Sequence, residues 1–196
     1  MHVPKGKYIL TAINPVTNEM RTNIVTVITQ IVENNDLVKY YRNASQFTVR
    51  IVLADGSYAG EGEEVTFNIN GVFYKRYTDA NGYALLNINL LPGDYIITSY
   101  YKDCRESNSI KVLPVLFTKD LKMKYMDGSH FTAHLLDGQG NAYPNQVVSY
   151  NVNGVFYNRL TDENGDSNLL IRLLPGEYII TSSYNELNAS NKITIS

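Results

Sequence analysis

Two long stretches of this sequence occur twice, and this repetition constrains the fold more than any other feature. Asn68–Tyr74 (NINGVFY) returns as Asn151–Tyr157 (NVNGVFY), and Leu90–Ser99 (LLPGDYIITS) returns as Leu173–Ser182 (LLPGEYIITS). Both pairs are shifted by the same number of residues. Upstream the shift is one residue longer, which places a single-residue length difference in the loop around residues 55–63.

A partial third copy opens the chain. Gly6–Thr11 (GKYILT) resembles Gly93–Thr98 (GDYIIT), so residues 1–29 are predicted to be the C-terminal strands of an incomplete preceding repeat. Complete repeats are predicted at 30–114 and 115–196, and two such domains fit a chain of 196 residues. An isolated hairpin is marginal in water. We therefore expect residues 1–29 to be held by the first repeat, or to self-associate with another chain through their open edges.

Alternating apolar and polar residues predict short β-strands, and no stretch shows sustained helical periodicity. Asn-Gly between two alternating runs is typical of a tight hairpin, and Pro-Gly is expected to place its glycine in the left-handed region. The predicted turn-forming positions are Asn70, Gly71, Asp79, Gly82, Pro92, Gly93, Asn153, Gly154, Asp162, Gly165, Pro175 and Gly176. About seven short strands per repeat predict an all-β fold of tandem immunoglobulin-like β-sandwich domains.

Composition excludes several classes of function. The net charge is −2 and no Lys/Arg-rich block occurs, so nucleic-acid binding is not expected. No run of about 18 apolar residues is present, so no membrane insertion is predicted for this segment. Residues 1–7 are polar, and any secretion signal or anchor is expected to lie outside this segment. Cys104 is the only cysteine, so no intrachain disulfide forms.

The turn string Thr78–Gly82 (TDANG), followed by an alternating strand and Leu-Pro-Gly-x-Tyr, resembles bacterial Ig-like domains of the invasin and intimin type. It also resembles the B-type repeats of Gram-positive adhesins. Together with Asn70–Tyr74, Asp120–Tyr125 and Asp127–Ser129, it is similar to adhesin-like surface proteins of methanogenic archaea. The resemblance covers essentially the whole chain, but its motifs are turns and therefore do not identify a ligand.

The resemblance implies a structural or adhesive module of an extracellular, cell-surface protein, acting as a rigid tandem-repeat stalk in cell adhesion. The alternative is that the repeats directly bind a glycan or a host or partner-cell protein, through loops or an exposed edge strand. No enzymatic activity, catalytic residue or cofactor is predicted. Tyrosines that could stack on sugars are interpreted as packing along the sheets; they are Tyr40, Tyr41, Tyr74, Tyr100, Tyr101 and Tyr157.

Histidine and aspartate side chains are the candidate metal ligands, and we interpret the histidines as simply exposed and the recurring aspartates as turn-forming. His130 and His134 lie about 13 Å apart on an extended strand, too far to share one zinc ion. Asp79 and Asp162 recur at one turn position, where aspartate stabilises the backbone, and calcium needs several oxygen ligands in one loop. No metal site is predicted. A weaker calcium alternative combines Asp36, Asp120 and Asp127.

Two kinds of covalent modification follow from short motifs. Asn43 and Asn188 begin Asn-Ala-Ser sequons and are predicted glycosylation positions. The resemblance to B-type repeats also raises a Lys–Asn isopeptide crosslink, promoted by a buried acid. However, Lys39 aligns with Met123, and no acid recurs at an inward strand position. We therefore expect no crosslink.

Overall fold

The computed structural model describes residues 5–196, and its regular secondary structure there consists of β-strands. Residues 1–4 of the predicted N-terminal fragment lie outside the described residues. The chain divides into two compact units. The first extends to Asp36 and adds Gln46–Leu86 and Ile96–Ser109, and the second combines Leu37–Ser45, Asn87–Tyr95 and Ile110–Ser196. Within residues 5–196 we find no helix with the length and apolarity needed to cross a membrane.

The first repeat forms one β-sandwich, called the first sandwich below. Its strands are β3 (Ile31–Val32), β4 (Leu37–Tyr40), β5 (Gln46–Ile51), β6 (Glu64–Ile69), β7 (Val72–Tyr77), β8 (Tyr83–Asn87), β9 (Gly93–Tyr101) and β10 (Cys104–Leu113). Five of them form a sheet in the order β4-β10-β9-β6-β7, and the other three form a sheet in the order β3-β5-β8. The short strand β4 pairs with β10 in parallel.

The second repeat forms the second sandwich with the same plan. Its strands are β11 (Leu116–Thr118), β12 (Leu121–Met123), β13 (His130–Leu135), β14 (Val147–Val152), β15 (Val155–Leu160), β16 (Asp166–Leu170), β17 (Gly176–Tyr184) and β18 (Leu187–Ile195). The sheet orders are β12-β18-β17-β14-β15 and β11-β13-β16, again with one parallel pair, β12 with β18. The fold is therefore all-β, with tandem immunoglobulin-like sandwiches.

Each sandwich core comes from alternate residues of the facing strands. In β5, β6, β13 and β14 every second side chain is buried. Phe47 meets Phe67 edge to face with ring centroids 5.9 Å apart, and Phe131 meets Tyr150 in the same way at 6.0 Å. Burying rings of this size stabilises each core by about 2–3 kcal/mol per ring. The buried hydroxyl of Tyr150 donates to the Ser167 carbonyl at 2.7 Å.

The N-terminal strands β1 (Gly6–Ile13) and β2 (Met20–Val27) form a separate two-stranded sheet, called the N-terminal hairpin below. Leu10 lies opposite Asn23, as Ile180 lies opposite Asn191 in the second sandwich. Nevertheless Leu10 is 60% exposed and Ile180 is fully buried. The hairpin thus has the register of the last two strands of a repeat without the strands that cover them.

Candidate functional site

The recurring Asn-Gly pairs form the turns between β6 and β7 and between β14 and β15. Asn70 and Gly71 have φ angles of 53° and 77°, and Asn153 and Gly154 have 51° and 81°. Two successive positive φ angles are what a type I′ hairpin turn requires. These positions therefore serve backbone geometry in both sandwiches.

The recurring turn aspartates are engaged with the backbone. Oδ1 of Asp79 accepts hydrogen bonds from the amides of Asn81 and Tyr83 at 2.8 and 3.0 Å. Oδ1 of Asp162 accepts the matching pair from Asn164 and Asp166 at 2.9 and 3.0 Å. Side-chain to backbone bonds of this kind stabilise turns. They leave no loop of convergent oxygen ligands at either position.

The glycine of the Leu-Pro-Gly-x-Tyr motif has a different structural role from the left-handed turn position that the sequence predicted. Gly93 does not adopt the expected left-handed conformation and instead begins β9. The Tyr95 hydroxyl turns back and donates to the Leu91 carbonyl at 2.7 Å, and Tyr178 does the same to Leu174 at 2.9 Å. A Cβ on Gly93 would lie 3.2 Å from that hydroxyl. The tyrosine ring folds back over the glycine, and the fit is tighter at Gly93 than at Gly176, where a Cβ would lie 3.5 Å from the Tyr178 ring.

The other candidate metal ligands also contact backbone rather than one another. Asp36 accepts the Ser109 amide at 2.8 Å, and Asp120 accepts the Lys192 amide at 2.9 Å. The second of these bonds is the main reason that the pKa of Asp120 lies below its ordinary value. Asp127 likewise accepts two backbone amides. Within residues 5–196 no group of three or more His, Cys, Asp or Glu side chains is placed to hold a metal ion.

Lys39 is the one buried lysine side chain among residues 5–196. Its ammonium donates to the carbonyls of Ser45 and Ile88, both at 3.0 Å, and burial lowers its pKa. Asn108 lies on the last strand of the first repeat, where such a crosslink would need its asparagine, and recurs as Asn191 in the second repeat. It instead donates to the Asn34 carbonyl at 2.5 Å. The amine and the amide that an isopeptide crosslink would join are thus engaged with different groups.

The two predicted glycosylation positions differ in accessibility. Asn188 is exposed on β18, and its Oδ1 accepts the Ser183 hydroxyl at 2.6 Å. Asn43 is half-buried, and its Nδ2, the atom that would carry a glycan, donates to the Gly138 carbonyl at 2.6 Å. Within residues 5–196 we find no protein partner for Nδ2 of Asn188. Asn188 is therefore the better placed of the two.

The three-stranded sheets of the two sandwiches carry different side chains on their exposed faces. In the first, the Arg50 guanidinium lies 3.3 Å from the ring centroid of Tyr58 and 4.8 Å from that of Tyr83. Glu33 accepts hydrogen bonds from Arg50 at 3.1 Å and from the Tyr83 hydroxyl at 2.5 Å. These two bonds hold the pKa of the Glu33 carboxyl below its ordinary value. The four side chains form a closed cluster whose charges pair with each other.

The second sandwich has an open cleft in the corresponding place. Strand pairing sets Phe117 beside His134 and His134 beside Asp166. The His134 Nδ1 and the Asp166 Oδ1 are 2.8 Å apart, and the Phe117 and His134 ring centroids are 6.5 Å apart. The cleft has a volume of about 400 Å³, and its lining residues are Phe117, Thr118, Lys119, Thr132, His134 and Asp166.

One of the positions that differ lies in a loop. Tyr58 forms an isolated bridge with Val52, and Ala142 forms the equivalent bridge with Leu136. Tyr58 lays its ring on Arg50, and the methyl group of Ala142 leaves the surface uncovered. His134 aligns with Arg50 and is half-buried rather than simply exposed as expected, because it pairs with Asp166. In the sequence, this site could have been found from aligned positions whose residue types differ between the two repeats.

Comparisons with known proteins return structural likeness only. No family model matches the sequence, and no curated protein matches it. The chain is similar to the I9–I11 tandem of titin, with 14% identity, 97% of this chain and 73% of that chain covered, and a TM-score of 0.46. It is similar to the D0–D1 domains of intimin, with 13% identity, 84% of this chain and 98% of that chain covered, and a TM-score of 0.35. It is also similar to invasin, a bacterial integrin-binding protein, with 17% identity, 88% of this chain and 40% of that chain covered, and a TM-score of 0.35. Likeness at this level supports no inference about ligand or partner.

Proposed function

We propose that this chain is a structural and adhesive module of an extracellular, adhesin-like cell-surface protein, of the kind that archaeal and bacterial surface proteins carry in tandem. It acts as a rigid stalk in cell adhesion. The observation that carries the proposal is a set of contacts inside the second compact unit. The Tyr41 hydroxyl donates to Glu186 at 3.2 Å, and the Asn43 amide donates to the Gly138 carbonyl at 2.6 Å.

Glycine at two loop positions permits these contacts. A Cβ on Gly138 would lie 3.0 Å from the Arg42 carbonyl oxygen, and a Cβ on Gly140 would lie 2.5 Å from the Tyr40 ring. Both loops therefore approach each other with no space for a side chain. Close backbone packing supported by hydrogen bonds resists local opening, and this is the property that a stalk needs.

The rotational motion of the chain tests the stalk. In the intact protein, ¹⁵N relaxation is expected to report one common rotational diffusion tensor for strands β4 and β14, which both lie in the second compact unit. The double variant Y41F/N43A removes both hydrogen bonds, and these strands should then tumble with separate correlation times. Y74F, on β7, is the control. Separate tumbling already in the intact protein would overturn the stalk.

The second candidate function is direct binding of a glycan or of a host or partner-cell protein, and the open cleft on the second sandwich favours it.

The edge strands β7 and β15 are less suited to binding a partner by pairing with one of its strands. The Arg76 side chain donates to the Lys75 carbonyl at 2.7 Å, and Arg159 donates to the Asn158 carbonyl at 2.8 Å. Because alternate residues of an edge strand point their carbonyls outward, each arginine occupies an acceptor that an incoming strand would need.

The N-terminal hairpin is the part of the chain suited to self-association. Ile9 and Ile24 lie opposite each other and are both 73% exposed. Sedimentation velocity over a concentration series tests this role, with I24K expected to remove any association. Ile179 is similarly exposed on the second sandwich, so I179K is the matched control. Association that survives I24K would exclude the hairpin.

A further inference from the structure

We propose that the cleft over β11, β13 and β16 is a binding site for a neutral sugar ring, the end or a branch of a glycan. The ring lies against Phe117 and exchanges hydrogen bonds with Asp166 and Lys119. This deepens the second candidate function and does not depend on the stalk, because the cleft lies entirely within the second sandwich.

The shape of the occupant follows from the first sandwich. There the same surface is covered by the ring of Tyr58, which lies flat at 3.3 Å over Arg50. Ala142 stands at the equivalent position and is exposed, so a space that suits a flat six-membered ring is left over His134. Phe117, which is 41% exposed, adds an aromatic wall to this space. A pyranose presents a flat C–H face that packs on such a ring.

The polar groups of the cleft select a polyhydroxyl ligand. Oδ1 of Asp166 is engaged with His134, and Oγ1 of Thr132 donates to Asn168 at 2.7 Å. Oδ2 of Asp166 and the ammonium of Lys119 make no hydrogen bond to any residue between 5 and 196. One is an acceptor and the other a donor, and adjacent sugar hydroxyls satisfy both at once.

Charge and hydrogen-bonding capacity argue against the other ligand classes. An anionic ligand would face the Asp166 carboxylate, and a cationic ligand would face the Lys119 ammonium, so a neutral ligand fits best. A tyrosine from a protein partner would supply the flat ring but only one hydroxyl. It would leave either the carboxylate or the ammonium without a partner in a partly desolvated cleft.

A titration followed by ¹⁵N–¹H spectra of the full chain tests this site. The probes are methyl α-mannopyranoside, methyl β-galactopyranoside and N-acetylglucosamine at millimolar concentrations, since few contacts give weak affinity. At least one probe is expected to shift the amides of Phe117, His134 and Asp166. The variant A142Y supplies the ring that the first sandwich already has, and should weaken binding by about tenfold or more.

Two further variants keep the test independent of folding defects. F117V introduces valine because Val32 occupies the equivalent position on β3 of the first sandwich. This variant should also weaken binding of the sugar. Y58A opens the first sandwich but leaves Arg50 paired with Glu33, so it should create no new site on β3, β5 and β8. Melting curves of all variants establish that each is folded.

Three results would overturn the proposal: no amide shifts with any of the three sugars, unchanged binding in A142Y, or shifts produced by a tyrosine-containing peptide alone. None of these results bears on the stalk, because the tumbling experiment involves Tyr41 and Asn43. Conversely, separate tumbling of the strands would leave the sugar site in place.

Discussion

The two sandwiches share their strand order and their turns, yet they differ at the surface of the smaller sheet. Positions that set the backbone recur, as with Asn70 and Asn153, which have φ angles within a few degrees of each other. Positions that face solvent over the three-stranded sheet diverge, as with Arg50 and His134. The repeat therefore preserves a scaffold and leaves one face free to change chemistry.

The largest predicted effect concerns the shared scaffold. G82A is expected to destabilise the first sandwich by about 3 kcal/mol, because φ is +82° and the new Cβ would lie 2.7 Å from the Ala59 carbonyl oxygen. G71A has a similar φ of +77° but open space around it, and should cost about 1 kcal/mol. Amide hydrogen exchange measures each sandwich separately. Equal effects of the two variants would mean that the close approach contributes nothing.

A smaller effect is expected at a buried serine that recurs in both sandwiches. Ser99 and Ser182 are fully buried, and their hydroxyls have no hydrogen-bond partner among residues 5–196. S99A and S182A should each stabilise their own sandwich by about 1 kcal/mol, since an unsatisfied hydroxyl is removed. Denaturant unfolding with hydrogen-exchange readout checks this. A loss of stability in both variants would show that the hydroxyls are satisfied by water.

The smallest predicted effect is a difference in pH dependence between the sandwiches. Burial lowers the pKa of Lys39 in the folded chain, so the unfolded chain binds more protons between that pKa and the ordinary value of 10.5. The free energy of unfolding of the first sandwich should therefore rise with pH through this window and level off above it.

K39M should abolish this rise, because it introduces the residue that occupies the place of Lys39 in the second sandwich, Met123. Unfolding measured between neutral pH and about pH 10, near the ordinary pKa of lysine, provides the comparison, with K111M as an exposed-lysine control. A rise that persists in K39M would assign the effect to another group.

The sequence predicted what depends on local backbone geometry and missed what depends on distant partners. The hairpin turn at Asn70-Gly71 follows from two residues that tolerate positive φ. The burial of Lys39 does not, because its acceptors are the carbonyls of Ser45 and Ile88, the second of which is remote in sequence. The cleft was missed for a similar reason. It combines residues of three strands with a loop that carries Ala142 in place of Tyr58 and differs in length between the repeats.

The arginines that occupy the edge carbonyls have a consequence for folding in a long array. Neighbouring repeats of similar sequence meet at an effective concentration of about millimolar, and their strands are alternative partners for one another during synthesis. Arg76 and Arg159 each occupy an outward carbonyl on the last strand of the larger sheet. They thereby disfavour the pairing of one copy's edge strand with a strand of the adjacent copy. A chain with more such copies would need the same protection of the edge strand in every one of them.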